Sequence, residues 1–453
     1  MNQGPYLPRR DPSRFHPLAL MAILFSIHAS VSVAGNGINR GGVGPRSMAM
    51  GGATIADRSD AFGSMATNPA NLTLLENGEL EVSATGVLAS GSFTAPNGIS
   101  GGLDQNSGAF GEMVLRIPLT SRIGAGLSII PDSTRIGDWD FRDPQGGVDG
   151  DTSYGQREHR SSIIAVRAAL GFGFVVTDRL SAGVSIGGTY NRNELRSPYV
   201  FQNHPILTGF KTLLDLEADG WGINSDVGLT YKINEHLDLA LSYRSPTSIT
   251  TKGSASGNIG KQLQNVGLGG ARPDFHYDAE VDNTLPQSVS TGILWKISAE
   301  TRLGAQVDWI NWASSFDTLD IRLRNGNNAD INGVLESSGI DDYYPLEWED
   351  RFVFRIGMEH DISDRWSLRA GYTYGKNPIP NATLLPTTGG ISEHAISLGV
   401  GYHHGPFEIN LGYQYDLPAA ESVSTSSLAA GELDNSKVEV QAHWIALSVG
   451  YEF

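Results

Sequence analysis

The chain closes with Ile445-Ala446-Leu447-Ser448-Val449-Gly450-Tyr451-Glu452-Phe453, apolar at every second position up to a terminal aromatic. A period of two is the strand period, so Ile445, Leu447, Val449, Tyr451 and Phe453 share one face of an extended chain. The same alternation recurs upstream. Ser162, Ile164, Val166, Ala168, Leu170 and Phe172 carry it, and Leu80, Val82, Ala84, Gly86 and Leu88 are its first appearance. Fourteen such segments can be counted, starting near residues 79, 108, 122, 160, 179, 221, 237, 289, 301, 351, 366, 394, 407 and 440.

The connections sharpen the reading. Residues 118–121, 175–178, 232–236, 298–300, 361–365 and 403–406 make tight turns. Between them lie long segments, 90–107, 131–159, 197–220, 246–288, 313–350, 375–393 and 416–437. A soluble sandwich has no reason to gather every long loop at one end. Short turns alternating with long loops are the pattern of a bacterial outer-membrane barrel, and an even strand number brings the C-terminus to the periplasmic side. Tyr231, Tyr243, Trp309, Trp312, Tyr372, Tyr374, Tyr413, Tyr415 and Tyr451 stand near strand ends. Interfacial aromatic girdles belong there, although β-propensity alone also enriches aromatics in strands.

Composition agrees. The 453 residues include 55 glycines and no cysteine, with a net charge of -17. Without cysteine there is no disulfide scaffold, thiolate catalysis or zinc ribbon. A mean hydropathy of -0.18 leaves no room for a bundle of transmembrane helices. The acidic balance argues against a nucleic-acid partner, which demands a basic footprint. The expected fold class is therefore all-β, a transmembrane antiparallel β-barrel of about 14 strands in the outer membrane of a Gram-negative bacterium.

Three parts are expected. Residues 1–34 read as a signal peptide: Arg9, Arg10 and Arg14 precede an apolar run from Leu18 to Val33, and Ser32-Val33-Ala34 offers a small-x-small cleavage site. Residues 35–78 form a Gly-rich block without strand alternation, and residues 79–453 the barrel. Gly42-x-Gly44 has no preceding strand or βαβ context, which removes a dinucleotide-binding reading.

The order of short motifs then resembles one family. Gly42-Val43-Gly44-Pro45-Arg46-Ser47-Met48-Ala49-Met50-Gly51-Gly52 followed by Asn68-Pro69-Ala70 is similar to the start of the outer-membrane long-chain fatty acid and toluene transporters, the FadL type. Trp221-Gly222, Leu241-Ser242-Tyr243-Arg244-Ser245, Leu285-Pro286, and Trp366 to Tyr372 followed by Asn377-Pro378-Ile379-Pro380 continue the match, which spans residues 42 to 453. The resemblance implies a barrel closed by an N-terminal luminal hatch, with Asn68, Pro69 and Ala70 as gating residues. It implies passive uptake of hydrophobic molecules, long-chain fatty acids first, and release through a gap in the wall into the bilayer. Aromatic or aliphatic hydrocarbons are the alternative substrate, and a general porin the alternative function. The expected partners are a hydrophobic small-molecule ligand, outer-membrane lipid and the barrel assembly machinery, with the protein a monomer.

An apolar substrate needs an apolar landing site. Val200, Phe201, Leu207, Phe210, Leu213 and Leu214 make loop 197–220 unusually apolar, and Leu207, Phe210, Leu213 and Leu214 fall at helical spacing. Such a stripe either binds ligand or packs against a neighbouring loop. Tyr190-Asn191-Arg192-Asn193 resembles the end of the family's fifth strand, where an Arg contributes to the internal pocket. This makes Arg192 the candidate partner for a carboxylate, against the plain reading of a solvated rim residue. Glu349 stands where some relatives carry Lys, which favours a neutral head group unless Arg351 or Arg355 substitutes.

No catalytic or metal site is expected, no cofactor, and no enzyme. Ser392-Glu393-His394 is the nearest cluster to a triad, but triads are assembled by geometry rather than adjacency. The acidic stretch from Asp330 to Asp342 lacks EF-hand spacing.

Overall fold

Alternation decides which way each side chain faces. In the computed structural model, which describes residues 37–38, 40–104 and 106–453, Ile445, Leu447, Val449 and Tyr451 are exposed while Ala446 and Ser448 are buried. The apolar set therefore lies outside and the small and polar set inside. Ile223 (73% exposed) and Leu398 (60%) repeat this on other strands. In water such a surface would be a large hydrophobic patch, whereas around a closed barrel it is the lipid face.

Fourteen antiparallel strands form the wall. The first six are β1 (Glu79–Ala95), β2 (Ile99–Leu103 and Ser107–Thr120), β3 (Ile123–Arg142), β4 (Gln156–Val175), β5 (Leu180–Val200) and β6 (Lys211–Lys232). Four more strands come, like β2, in two segments: β7 (Leu237–Arg244 and Thr247–Asn258), β8 (Asp274–Leu285 and Ser288–Lys296), β9 (Thr301–Ile310 and Thr318–Arg324) and β10 (Ile340–Pro345 and Arg351–Ser363). The last are β11 (Trp366–Gly375), β12 (His394–His404), β13 (Phe407–Val423) and β14 (Ser436–Glu452). β1 pairs with β14, Leu80 opposite Tyr451 and Ala84 opposite Leu447. The closure leaves no free sheet edge, as a lipid-embedded sheet requires. Gly78 and Phe453 exchange both backbone hydrogen bonds, at 3.0 and 2.8 Å, and so finish the seam.

Most strand starts fall where alternation puts them. β6 begins at Lys211 instead of near 221, because β5 runs on to Val200 and supplies ladder partners as far as Lys211. The helical stripe is consequently not formed. Residues 201–210 make a compact turn, with Phe201 N donating to Phe210 O at 3.0 Å, and Leu213 and Leu214 lie on opposite faces of a strand. Trp312 does not join a girdle. It is fully buried in an interior cluster, 5.1 Å from the ring of Trp348 and 5.4 Å from that of Phe316.

The proposed signal peptide lies outside the described residues. Residues 40–75 pack against inward-facing wall residues, through α1 (Gly44–Ala49), α2 (Ala61–Ala66) and a 3-10 turn, Pro69–Leu72. Helices of six residues have almost no stability alone, so tertiary contacts hold them. Arg46 reaches Asp57 at 3.2 Å and Glu359 of β10 at 2.8 Å. Gly51 has φ +61, and a Cβ there would stand 2.8 Å from the backbone N of Tyr372, so only glycine lets this turn lie against β11.

Candidate functional site

Two cavities of about 160 Å³ each lie in the barrel interior and differ in lining. The upper one is roofed by loops. Leu195, Val200, Leu216, Val281, Ile321, Leu346, Leu385, Leu428 and Leu433 supply its apolar wall, with Phe141 and Tyr344 beside them, and Asp143, His159, Glu194 and Glu432 also line it. The lower one touches the N-terminal segment at Arg40, Gly41 and Ser47, and is polar: Asp132, Asp226, Arg244, Asp308 and Arg355 face it. Its charges are matched. Arg244 lies 2.7 Å from Asp226 and 3.2 Å from Asp132, and Arg355 lies 2.6 Å from Asp308.

The roof of the upper cavity is pinned by a buried ammonium. Lys211 Nζ sits 2.8 Å from Asp143 and 3.0 Å from Glu432, and donates to the carbonyl of Pro144 at 2.7 Å. It thereby ties the loops after β3 and β13 to the base of β6. Burial pushes the carboxyl of Glu432 up to about 7, against the opposing pull of Lys211. Burial raises Asp143 as well, again opposed by Lys211.

The ladder between β2 and β3 is interrupted beside the lower cavity. β3 pairs with β2 as far as Ile129 opposite Met113, and ladder pairing resumes only at Trp139 opposite Leu103. On the other side, pairing with β4 shifts by one residue between Pro131 and Ser133, leaving Asp132 as a bulge. A bulge bends its strand, and Pro131 has no N–H to offer a ladder. Pro131, Asp132 and Ser133 all line the lower cavity, so the bent stretch separates it from the outer face.

Asn68-Pro69-Ala70 sits at the inner wall. Asn68 is fully buried. Its Oδ1 accepts from Ala70 N at 3.1 Å, while Nδ2 donates to Ile55 O at 2.9 Å and to Thr230 Oγ1 at 3.0 Å. Gly183 of β5 and Gly228 of β6 lie directly against this tripeptide, where a Cβ would collide with it.

The residues singled out in the outer loop separate into groups. Val200 lines the upper cavity. Phe201, Leu207 and Leu214 are buried in an adjoining apolar cluster with Phe275 and Tyr277, and Phe210 packs on its edge. Leu213 is half-buried, opposite Pro198. Arg192 lies elsewhere. Strand alternation buries Asn191 and Asn193 and turns Arg192 to the outer face, where it pairs with Glu217 and, at 3.1 Å, with Glu194. Glu349 is 59% exposed at its side chain, paired with Arg351, and lines neither cavity, so it sets no negative charge in them. Leu428, Leu433 and Tyr344 were not foreseen. Tyr344 comes from β10 and the two leucines from the loop after β13, more than 80 residues away, and the only local signal was leucines within polar loop sequence.

A closed barrel with a lipid-facing apolar surface, a segment packed in its lumen and a broken ladder between two of its strands defines an outer-membrane transport barrel. No helix among the described residues is long and apolar enough to cross a membrane, so the crossing is made by strands. The chain belongs to the outer membrane protein transport protein family (OMPP1/FadL/TodX), whose profile matches residues 25–453. It is 24% identical over 253 residues to an outer membrane protein of Neisseria meningitidis, covering 53% of this chain and 52% of that one. It is also 24% identical over 229 residues to the long-chain fatty acid transport protein of Escherichia coli, covering 44% and 46%. The chain thus matches about half the length of these curated relatives. In three dimensions it is similar to the Pseudomonas putida toluene transporter TodX, with a TM-score of 0.71 at 19% identity, covering 93% of this chain and all of the other.

Proposed function

We propose that this protein takes up hydrophobic molecules by passive diffusion, long-chain fatty acids foremost and aromatic or aliphatic hydrocarbons second. The upper cavity carries the reading, because an apolar chamber roofed by loops and continuous with an apolar cluster suits a greasy ligand. Val200 meets the ligand in the chamber, Phe201, Leu207, Phe210, Leu213 and Leu214 back it as apolar packing under the roof, and ligand enters between the roofing loops. Displacement of the hatch, residues 35–78, about Asn68-Pro69-Ala70 opens the way down. Exit is sideways at the bent stretch of β3, since an apolar molecule gains nothing by crossing a wet lumen. The protein works as a monomer in outer-membrane lipid after insertion by the assembly machinery. The names of the relatives, fatty acid transport in one and toluene transport in another, support the class and leave both substrates in play.

Equilibrium binding of a long-chain fatty acid, its alcohol and an alkylbenzene to the purified protein tests this. Submicromolar to micromolar binding of at least one is expected. Binding of none, together with high ohmic conductance in planar bilayers, would replace the reading with a general porin.

A further inference from the structure

We propose that the outer face of β11 to β14 carries a docking site for the phosphorylated head group of an outer-leaflet glycolipid, built on Lys376, His394 and His443. The site lies on the lipid side of the wall and is independent of what the interior carries.

Alternation sets its level. Going up the outer face of β14, the exposed Leu447 and Ile445 give way to His443, Gln441 and Glu439. On β12 the exposed Leu398 and Ile396 give way to His394, and on β11 Leu368 gives way to Tyr372 and Tyr374. Apolar side chains belong in the hydrocarbon and polar ones above it, so this step marks the head-group level on the side of the long loops, the outer leaflet.

Two like units stand at the step. Tyr374 pairs directly with His394 across β11 and β12, and Tyr415 with His443 across β13 and β14. In each, the imidazole stacks on the opposed tyrosine, with ring centroids 4.8 and 4.5 Å apart. Its Nδ1 is hydrogen-bonded to the hydroxyl of the tyrosine two residues earlier, Tyr372 at 2.7 Å and Tyr413 at 2.8 Å. Ile396 lies opposite both Tyr372 and Tyr415, which joins the units into one patch. An interfacial girdle accounts for the tyrosines, but not for two imidazoles fixed in the same way. With Nδ1 accepting from the hydroxyl, the proton sits on Nε2, and neither Nε2 makes a hydrogen bond among the described residues.

The charge beside the patch is positive. Lys376 follows Gly375 at the upper end of β11, is exposed, and has no ion pair among the described residues. Glu393 shares the inward series of Ala395 and Ser397, and its carboxylate accepts from Asn377 N at 2.9 Å. Glu439 is held by Lys437. A phosphate oxygen accepts from an imidazole N–H and from an ammonium, and such charge-assisted bonds are the strong ones. A glycolipid phosphate meets both kinds of donor here while its acyl chains lie along Ile396 and Leu398 below.

The test is titration of the full-length protein in detergent with bisphosphorylated lipid A, the same lipid A stripped of phosphate, and inorganic phosphate. Bound lipid is counted by native mass spectrometry, and folding is checked by heat-modifiable migration. The phosphorylated lipid should bind at least about tenfold more tightly than the stripped one, and inorganic phosphate at equal concentration should not displace it. Lys376→Gln, which lies outside every strand, and the double variant His394→Gln, His443→Gln should each remove most of that preference. Tyr372→Phe keeps the ring but loses the hydroxyl, and should reduce the preference in part. Equal binding of the two lipids would leave an ordinary girdle and overturn the proposal. An unchanged preference in Lys376→Gln or in the double histidine variant would overturn it as well. Displacement by inorganic phosphate alone would make this a phosphate site without a lipid component and overturn the glycolipid assignment.

Discussion

The side chain of Asn68 joins the N-terminal segment to the barrel wall, Nδ2 donating to Thr230 Oγ1 of β6 at 3.0 Å. Because the same amide also serves Ile55 O and Ala70 N, its removal strands several buried polar groups at once. Each costs about 1–3 kcal/mol when left unsatisfied. Asn68→Ala should leave the barrel folded and raise its resting conductance in planar bilayers above wild type.

Deletion of residues 36–60 goes further. It removes α1 and the Arg46 contacts to Asp57 and Glu359 but no strand. A folded, heat-modifiable barrel with open ohmic conductance is expected. A barrel that stays closed would show that residues 35–78 are not the hatch.

Asp132 is the residue that puts β3 out of register with β4. Its deletion should straighten the strand and extend its ladder toward β2. Uptake of labelled fatty acid by whole cells should then fall at least tenfold, while equilibrium binding to the purified protein is retained. Loss of both would place Asp132 in the binding chamber rather than at an exit.

Leu216 is buried and faces the upper cavity. Leu216→Asn installs an amide with no partner on that wall, and each such group costs about 1–3 kcal/mol. Hexadecanol affinity should drop about tenfold, measured by titration, with conductance unchanged.

The Lys211 clamp should respond to pH. Glu432 titrates near 7 in the folded loops, above the ordinary carboxylate value of about 4.3. Between those values the folded cap holds a proton that a free carboxyl has lost. Its contribution to cap stability is therefore complete below about pH 4 and declines as pH rises through 7. Amide exchange in residues 424–435, corrected for intrinsic rates, should show less protection at pH 8 than at pH 6. Glu432→Gln should flatten that difference.

Period-two alternation made the strands legible because lipid on one face and a polar lumen on the other force residues such as Ile445 and Ala446 to differ. Turn length gave the orientation for the same reason, since the tight connections and the long loops fall at opposite ends. Asn68-Pro69-Ala70 was legible as a motif. Its bonds to Thr230 and its seat on Gly183 and Gly228 were not, because they bring together residues more than 100 positions apart.

Sequence by itself thus determined the strand number, the closure and the class of protein, all set by local pattern and solvent. Only tertiary structure decided where the β2–β3 ladder breaks and which charges the interior holds. Arg192 and Arg135 look alike in sequence, yet strand phase sends one to solvent beside Glu217 and buries the other without a carboxylate among the described residues. A bulge at Asp132 resets that phase, and a bulge is a relationship between two strands, so no single strand's sequence records it.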